Sequence, residues 1–452
     1  MIARAMSTIA REVDGRLVAG DAEVTNVATD SRLAGPGSLF VALTGEHTDG
    51  ARFVTDAFDA GAAGVVVPEG TESPGPSIVV GSPAEALLRL ASAERTYIPK
   101  VVGITGANGK TSTKDMAAAV LSRRLLTHAS PGSFNNEVGL PMTLLGAPTG
   151  VEVVVAELGA RRKGDVTMLC EIARPDVVVV TNVGVAHLEI FGSWDAIVEA
   201  SAEPVEAVSP TGWAVLNADD PVVSTYRERC AGRVMSFGQH VDADVRGTDV
   251  SVDASGAASF TIVVGEQRSP VTLSVAGEHM VPNALAATAV GLIFDVPLGE
   301  CAGALASATV SPWRMETFTT DDGVRVVNDA YNANPESMAA ALKAARTMAR
   351  DGRLLAVLAH MAELGPIADE EHERLGDLAA RLRVDRLVTV GDAARRIAVA
   401  AVREGMEPEQ VASYLAPLDA LADVRAAARS GDVVLFKGSR VAGLEELAEA
   451  LR

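Results

Sequence analysis

The eleven residues at positions 103–113, Gly-Ile-Thr-Gly-Ala-Asn-Gly-Lys-Thr-Ser-Thr, restrict the fold of this chain more than any other stretch. Val101, Val102 and Ile104 read as a short buried strand, and the run from Ser112 to Leu126 reads as a helix. Between them, glycines allow backbone N–H groups to come close to phosphate oxygens, and the helix start adds its positive dipole end. Gly106, Asn108, Gly109 and Ser112 would line such a cradle. Lys110 can reach the terminal phosphates, and the Thr111 hydroxyl suits a magnesium ion. The spacing Gly106-x-x-Gly109-Lys110-Thr111 departs by one residue from the strict phosphate-loop pattern. A nucleoside triphosphate, ATP in the simplest case, is the ligand this segment predicts.

The rest of the chain repeats the same rhythm. Residues 151–157 (VEVVVAE) and 176–181 (DVVVVT) are dense β-branched runs of the kind that parallel strands buried on both faces require. Residues 240–275 switch to alternating strand signals with Gly and Ser turns, which predicts a small antiparallel insert. Strand–helix alternation returns in LLAVLAH, DRLVTVG and DVVLFKGS. The expected class is α/β, with three domains suited to 452 residues. They are expected at 1–99, a smaller α/β domain; 100–312, a P-loop-type ATPase domain on a parallel sheet; and 313–452, a Rossmann-like domain.

A net charge of −20 argues against general nucleic-acid binding, so an anionic ligand must be held by local devices. No apolar run is long enough to span a bilayer, and the first sixteen residues lack a signal-peptide core. Cys170, Cys230 and Cys301 are too scattered for a zinc site or a disulfide frame, and are expected buried in a reducing cytoplasm.

Ligands of doubly wound sheets sit outside the carboxyl edge. The second strand of the middle block ends in Glu157, and the third leads through TNVGVAH to His187. With Thr111 they form an oxygen-rich group that suits magnesium, with histidine as a tolerated partner.

These motifs, in this order, resemble the Mur ligases, ATP-dependent amide-bond formers of peptidoglycan synthesis, and within them the branch that adds D-alanyl-D-alanine. The resemblance covers nearly the whole chain: TDSRLAGPGSLFVAL (29–43), TGANGKTSTKD (105–115), FNNEVGLPMTLL (134–145), LNADDP (216–221), NDAYNANPESM (328–338), MAELG (361–365) and FKGSR (436–440). It implies ligation of the dipeptide to UDP-N-acetylmuramoyl-tripeptide through an acyl phosphate, with ATP and Mg2+, by a cytoplasmic monomer. It implies catalytic roles for Lys110, Glu157, His187 and Arg314, with Thr111, Glu157 and His187 holding metal. Asn283, Arg314, Asp329 and Tyr331 would join the loop in contacting ATP. Asp30, Ser31, Arg32, Asn135, Asn136, Asn332, Asn334, Lys437, Ser439 and Arg440 would meet the UDP-sugar or the dipeptide. Two other readings fit the same motifs: a paralogue that binds nucleotide or UDP-muramoyl peptide without ligating, and a ligase for another amino acid or dipeptide.

Three positions depart from the family pattern. Fourteen residues after His187 the family has a lysine whose carbamate helps hold a second magnesium; here it is Ser201, flanked by Glu199 and Glu203. Those carboxylates would reach the metal only if their helix rotates or ends early at Pro204. Met280 and Ala359-His360 are the other two.

Overall fold

Packing of β-branched runs between helices organises the computed structural model into three large sheets, with a two-stranded ladder of Arg4–Ala5 and Glu23–Val24 beside the first; it describes residues 1–45, 48–350 and 352–452. The middle sheet has nine strands. Its heart is Val177–Val180, Lys100–Thr105 and Val153–Glu157, paired in parallel in that order. Val153, Val154, Val155 and Val177 to Val180 are all buried, as strands covered on both faces must be. The parallel set extends to Thr127–Ala129 on one side and through Trp213–Asn217 and Arg233–Gly238 to Val245–Val252 on the other. Ala257–Val264 and Gln267–Ala276 then add antiparallel ladders to the same sheet. The predicted insert is therefore a continuation of the main sheet.

The first sheet has five strands in the order Arg16–Val18, Ser77–Val80, Gly64–Pro68, Ser38–Val41 and Asn26–Ala28, parallel except for the first pair. The last has six, from Glu316–Thr319 through Arg325–Asn328, Val433–Lys437, Leu354–Ala359 and Arg386–Val390 to Val411–Tyr414, again with one antiparallel edge pair.

Local chemistry sets the helix bounds. Ser82 caps Pro83–Glu94, its hydroxyl accepting Glu85 N at 3.3 Å, and the 3-10 turn Arg95–Tyr97 follows. The loop helix begins at Lys110 and ends at Leu121, before Ser122-Arg123-Arg124. Cys170 and Cys301 are buried as expected, whereas Cys230 is half-exposed. Among the described residues, no helix is long and apolar enough to cross a membrane.

The units share cores. Leu87 and Leu90 of the first unit pack into one cluster with Leu140, Leu144, Leu169 and Ile172 of the middle one. Nearby, the buried Arg4 guanidinium pairs with Glu94, which also accepts Ile2 N at 2.8 Å. Removing one partner of a buried pair strands the other charge, at a cost of about 3–5 kcal/mol. Arg4→Ala is therefore expected to lower the urea midpoint of the first unit by an equivalent amount, measured with a probe on that unit; an unchanged midpoint contradicts the pairing.

Candidate active site

The strand Lys100–Thr105 is flanked by Val153–Glu157 on one side and Val177–Val180 on the other, both later in the chain, so its carboxyl end is a switch point where crossovers diverge and a crevice opens. The glycine turn fills that crevice because nothing larger fits. Gly106 has φ +135°, and a Cβ there would lie 2.0 Å from Thr181 Oγ1. Gly109 has φ +81°, and a Cβ would meet Asn283 Oδ1 at 2.3 Å. The next strand braces the turn. Asn182 O accepts Ala107 N at 3.0 Å, Asn182 Oδ1 accepts Asn108 N at 2.8 Å, and Thr181 Oγ1 donates to Asn108 O at 2.6 Å. The Lys110 ammonium folds back on the turn, donating to Gly106 O at 2.6 Å and Ala107 O at 3.2 Å.

Beside it, a polar chain crosses from strand to strand and then to the last unit. Thr111 Oγ1 donates to the buried Glu157 at 2.7 Å, and Glu157 accepts Asn135 Nδ2 at 2.9 Å. Ser133 Oγ lies 2.9 Å from Thr111 Oγ1 and accepts Arg314 Nη2 at 2.9 Å. Arg314 stacks on Tyr331, 4.2 Å from the ring centroid, and its Nε is buried with no hydrogen-bond partner among the described residues. An orphan donor of this kind beside a glycine loop is suited to an anion's oxygen.

The last unit also touches the loop through Asn334. This residue caps the helix Pro335–Ala349, and its Nδ2 donates to Asn108 Oδ1 at 2.8 Å. Asp329 accepts Lys437 Nζ at 2.6 Å and Met315 N at 3.0 Å, while Lys437 also donates to Asn332 O at 3.1 Å. Arg440 lies over Trp313, and Ser439 Oγ accepts Ala362 N at 2.8 Å.

A cleft of about 900 Å³ gathers these groups. It is lined by Asn108 to Ser112, Asn135, Asn136, Glu157, His187 and Asn283, and from the last unit by Arg314, Asp329, Tyr331, Asn332, Asn334, Lys437, Ser439 and Arg440. Gly106 stands behind it, holding the lysine. Asp30, Ser31 and Arg32 are not among its lining residues: Asp30 caps a 3-10 turn by accepting Arg32 N at 2.9 Å and pairs with the exposed Arg32 guanidinium.

Three contributors were not among the expected site residues, although Lys114 and Glu363 lie inside the motifs at 105–115 and 361–365. Ser133 follows the edge strand and joins Thr111 to Arg314. Lys114 is buried under that loop, donating to Ser130 O at 2.6 Å and Gly132 O at 2.8 Å. Glu363 reaches from the last unit to His187 Nδ1. Neither carboxylate near Ser201 turns to the cleft. The helix Trp194–Glu206 runs through Pro204, Ser201 Oγ donates to Ile197 O at 2.7 Å, Glu199 pairs with Arg229, and Glu203 caps the helix Asp165–Ala173 by accepting Gly164 N and Thr167 N.

Models of three domain families match in sequence: "Mur ligase family, catalytic domain" over residues 23–99, "Mur ligase middle domain" over 104–291, and "Mur ligase, glutamate ligase domain" over 313–440. The chain belongs to the Mur ligase family. Among curated Mur ligases, the UDP-N-acetylmuramoyl-tripeptide–D-alanyl-D-alanine ligase of Mycobacterium tuberculosis H37Rv is 41% identical, covering 94% of this chain and 91% of the relative. The enzyme of that name from Bacillus subtilis 168 is 36% identical over 100% and 99%. In structure the chain is similar to MurF from Acinetobacter baumannii, with a TM-score of 0.88, 31% identity and 98% of each chain covered. It also resembles the MurF ligase of Thermotoga maritima in complex with ADP, with a TM-score of 0.82, 28% identity, and 95% of this chain and 97% of that one covered.

Burial lowers the pKa of Lys110, and the neighbouring Arg314 adds to the effect against Glu157. Burial likewise lowers that of His187 despite Glu363. For the lysine the sign is explicit. Its folded value lies below the unfolded 10.5, so the unfolded chain holds the extra proton in the window between, and the folded state carries a penalty at neutral pH that fades as pH rises to 10.5. Lys110→Met is therefore expected to melt at the same temperature as the parent or higher at pH 7 without ligand. A midpoint several degrees lower would show that the ammonium stabilises the empty loop.

Proposed function

We propose that the chain is an ATP-dependent, ADP-forming ligase that joins D-alanyl-D-alanine to UDP-N-acetylmuramoyl-tripeptide in peptidoglycan precursor synthesis. The observation that carries this reading is one cleft in which a glycine loop, Lys110, the orphan Nε of Arg314 and the Thr111–Glu157 pair converge between two units. Matches to dipeptide-adding relatives along nearly the full chain support the choice of substrates. In this reading the work is divided among domains at 1–99, 100–312 and 313–452, with the UDP moiety meeting Asp30, Ser31 and Arg32.

The reaction brings two anions together. A carboxylate oxygen of the tripeptide attacks the γ-phosphorus, the bond to the β-phosphate oxygen breaks, and ADP leaves an acyl phosphate. The neutral amine of the dipeptide then attacks the acyl carbon, phosphate departs with the bonding pair, and the nitrogen loses a proton. Loop amides and the start of the helix Lys110–Leu121 hold the phosphate chain, with Lys110 on its β- and γ-groups. Arg314 offers Nε to the γ-phosphate from the opposite unit, where fixed donors in a water-poor cleft act most strongly. Asn283 lies against Gly109 and would meet the adenine, while Asp329 and Tyr331, which line the same cleft, would face the nucleoside. Asn135 and Asn136 would meet the muramoyl peptide, with Asn332, Asn334, Lys437, Ser439 and Arg440 on the dipeptide side.

Magnesium fits this donor set. Among the described residues no group of three or more His, Cys, Asp or Glu side chains forms a closed metal cage. One buried carboxylate with a hydroxyl is what a magnesium ion shared with phosphates requires. Thr111 and Glu157 would hold it, with His187 near a second ion; bound there, magnesium offsets phosphate charge. We place the chain in the cytoplasm as a monomer, as the resemblance to the family implies.

Purified protein with ATP, Mg2+ and UDP-muramoyl-tripeptide is expected to release phosphate in proportion to added D-alanyl-D-alanine. Nucleotide binding without dipeptide-dependent release would instead identify a paralogue that does not ligate. Lys110→Ala is expected to abolish release and leave the circular dichroism spectrum unchanged. Added bicarbonate is expected to leave the rate unchanged, because the Ser201 hydroxyl cannot carry a stable carbamate and is bonded to Ile197 O. Activation by bicarbonate would mean that a lysine elsewhere supplies one.

A further inference from the structure

Glu363 lies in the loop after the strand Leu354–Ala359, yet its partners all belong to the middle unit. One carboxylate oxygen accepts the Arg161 guanidinium, and the other contacts His187 Nδ1. Its carbonyl accepts Glu189 N at 3.1 Å. Two residues on, a Cβ at Gly365 would lie 3.1 Å from Glu189 Cβ, so a larger residue would push the loop away. The backbone is specialised on both sides of this contact. His187 and Glu363 each have φ +60°, a conformation that residues with a Cβ adopt at a cost and that persists where the surroundings over-determine it. Both residues line the cleft.

An ionised carboxylate only accepts hydrogen bonds, so the ring nitrogen facing Glu363 must carry the hydrogen. That leaves the lone pair on Nε2. No other side chain is hydrogen-bonded to the His187 ring among the described residues.

We propose that Glu363 is a positioning residue that fixes His187 as its Nδ1–H tautomer and presents Nε2 to the cleft. Because Glu363 arrives on the last unit, the ring is set only when that unit is docked. Closure and assembly of the metal-facing histidine are then one event. The proposal rests on the reading of His187 as a ligand for a divalent cation and deepens it. A ligating imidazole is held by the partner of its other nitrogen, and loss of such partners commonly costs 10–100-fold.

The test uses the full chain with 15N-labelled histidine, where two-bond nitrogen–hydrogen correlations report each ring's tautomer and His187→Asn assigns the signal among the seven histidines. The parent is expected to show His187 as Nδ1–H. Glu363→Gln, whose amide oxygen still accepts, is expected to keep that pattern and most of the activity. Glu363→Ala is expected to show mixed or Nε2–H tautomers and to lose about 10–100-fold in kcat, with KM for ATP within about twofold because the glycine loop is untouched. A parent ring in the Nε2–H form would overturn the proposal. So would His187 signals in Glu363→Ala identical to the parent's, or a Glu363→Gln as impaired as Glu363→Ala. If the parent chain released no phosphate with the dipeptide, the proposed function would fall, while the ring spectra would still decide the role of Glu363.

Discussion

The hydrogen bond from Thr111 to Glu157 ties the helix that follows one parallel strand to the end of its neighbour. Its position is dictated by the sheet. Ile104 and Glu157 are register partners, so the glycine turn and the carboxylate must emerge side by side at the carboxyl edge. From that pair the rest of the cleft is built outward: Asn135 on the free oxygen of Glu157, Ser133 on the hydroxyl of Thr111, and Arg314 on Ser133. A change at either end would propagate across two units through hydrogen bonds of ordinary length.

The same geometry resolves an electrostatic problem. A chain with net charge −20 must admit a triphosphate and a carboxylate together. It does so with local positive potential: loop amides, one lysine and one arginine whose Nε is otherwise unsatisfied. The arginine comes from the opposite side of the cleft, and so does Asn334, which reaches Asn108 in the loop. The full positive field therefore requires the last unit to be docked on the middle one. Glu363 and its contacts with Arg161 and His187 belong to the same interface.

Much of this was legible in the sequence because it lies on strand ends. The loop, Glu157 and His187 each follow a dense β-branched run, and period and burial fix where such runs point. The family motifs extended the reading to Arg314 and Asn334. Ser133 and Lys114 were not legible, since their roles arise from a loop folding over a buried ammonium, a contact with no periodic signature. Glu363 stands in the MAELG motif, but its role was hidden because its partners are about 170 to 200 positions earlier in the chain. For the helix Trp194–Glu206, which carries Ser201, geometry decided. It continues through Pro204, and Glu199 and Glu203 are engaged by Arg229 and by the start of a neighbouring helix.

The most direct test of the central claim is a crystal structure with a non-hydrolysable ATP analogue and Mn2+, using anomalous scattering to locate the metal. The account predicts the β- and γ-phosphates on the amides of residues 108–111, a metal peak beside Thr111 and Glu157, and an Arg314 Nε contact to the γ-group. Phosphates bound elsewhere in the cleft, with Thr111 still hydrogen-bonded to Glu157 and no metal between them, would contradict it.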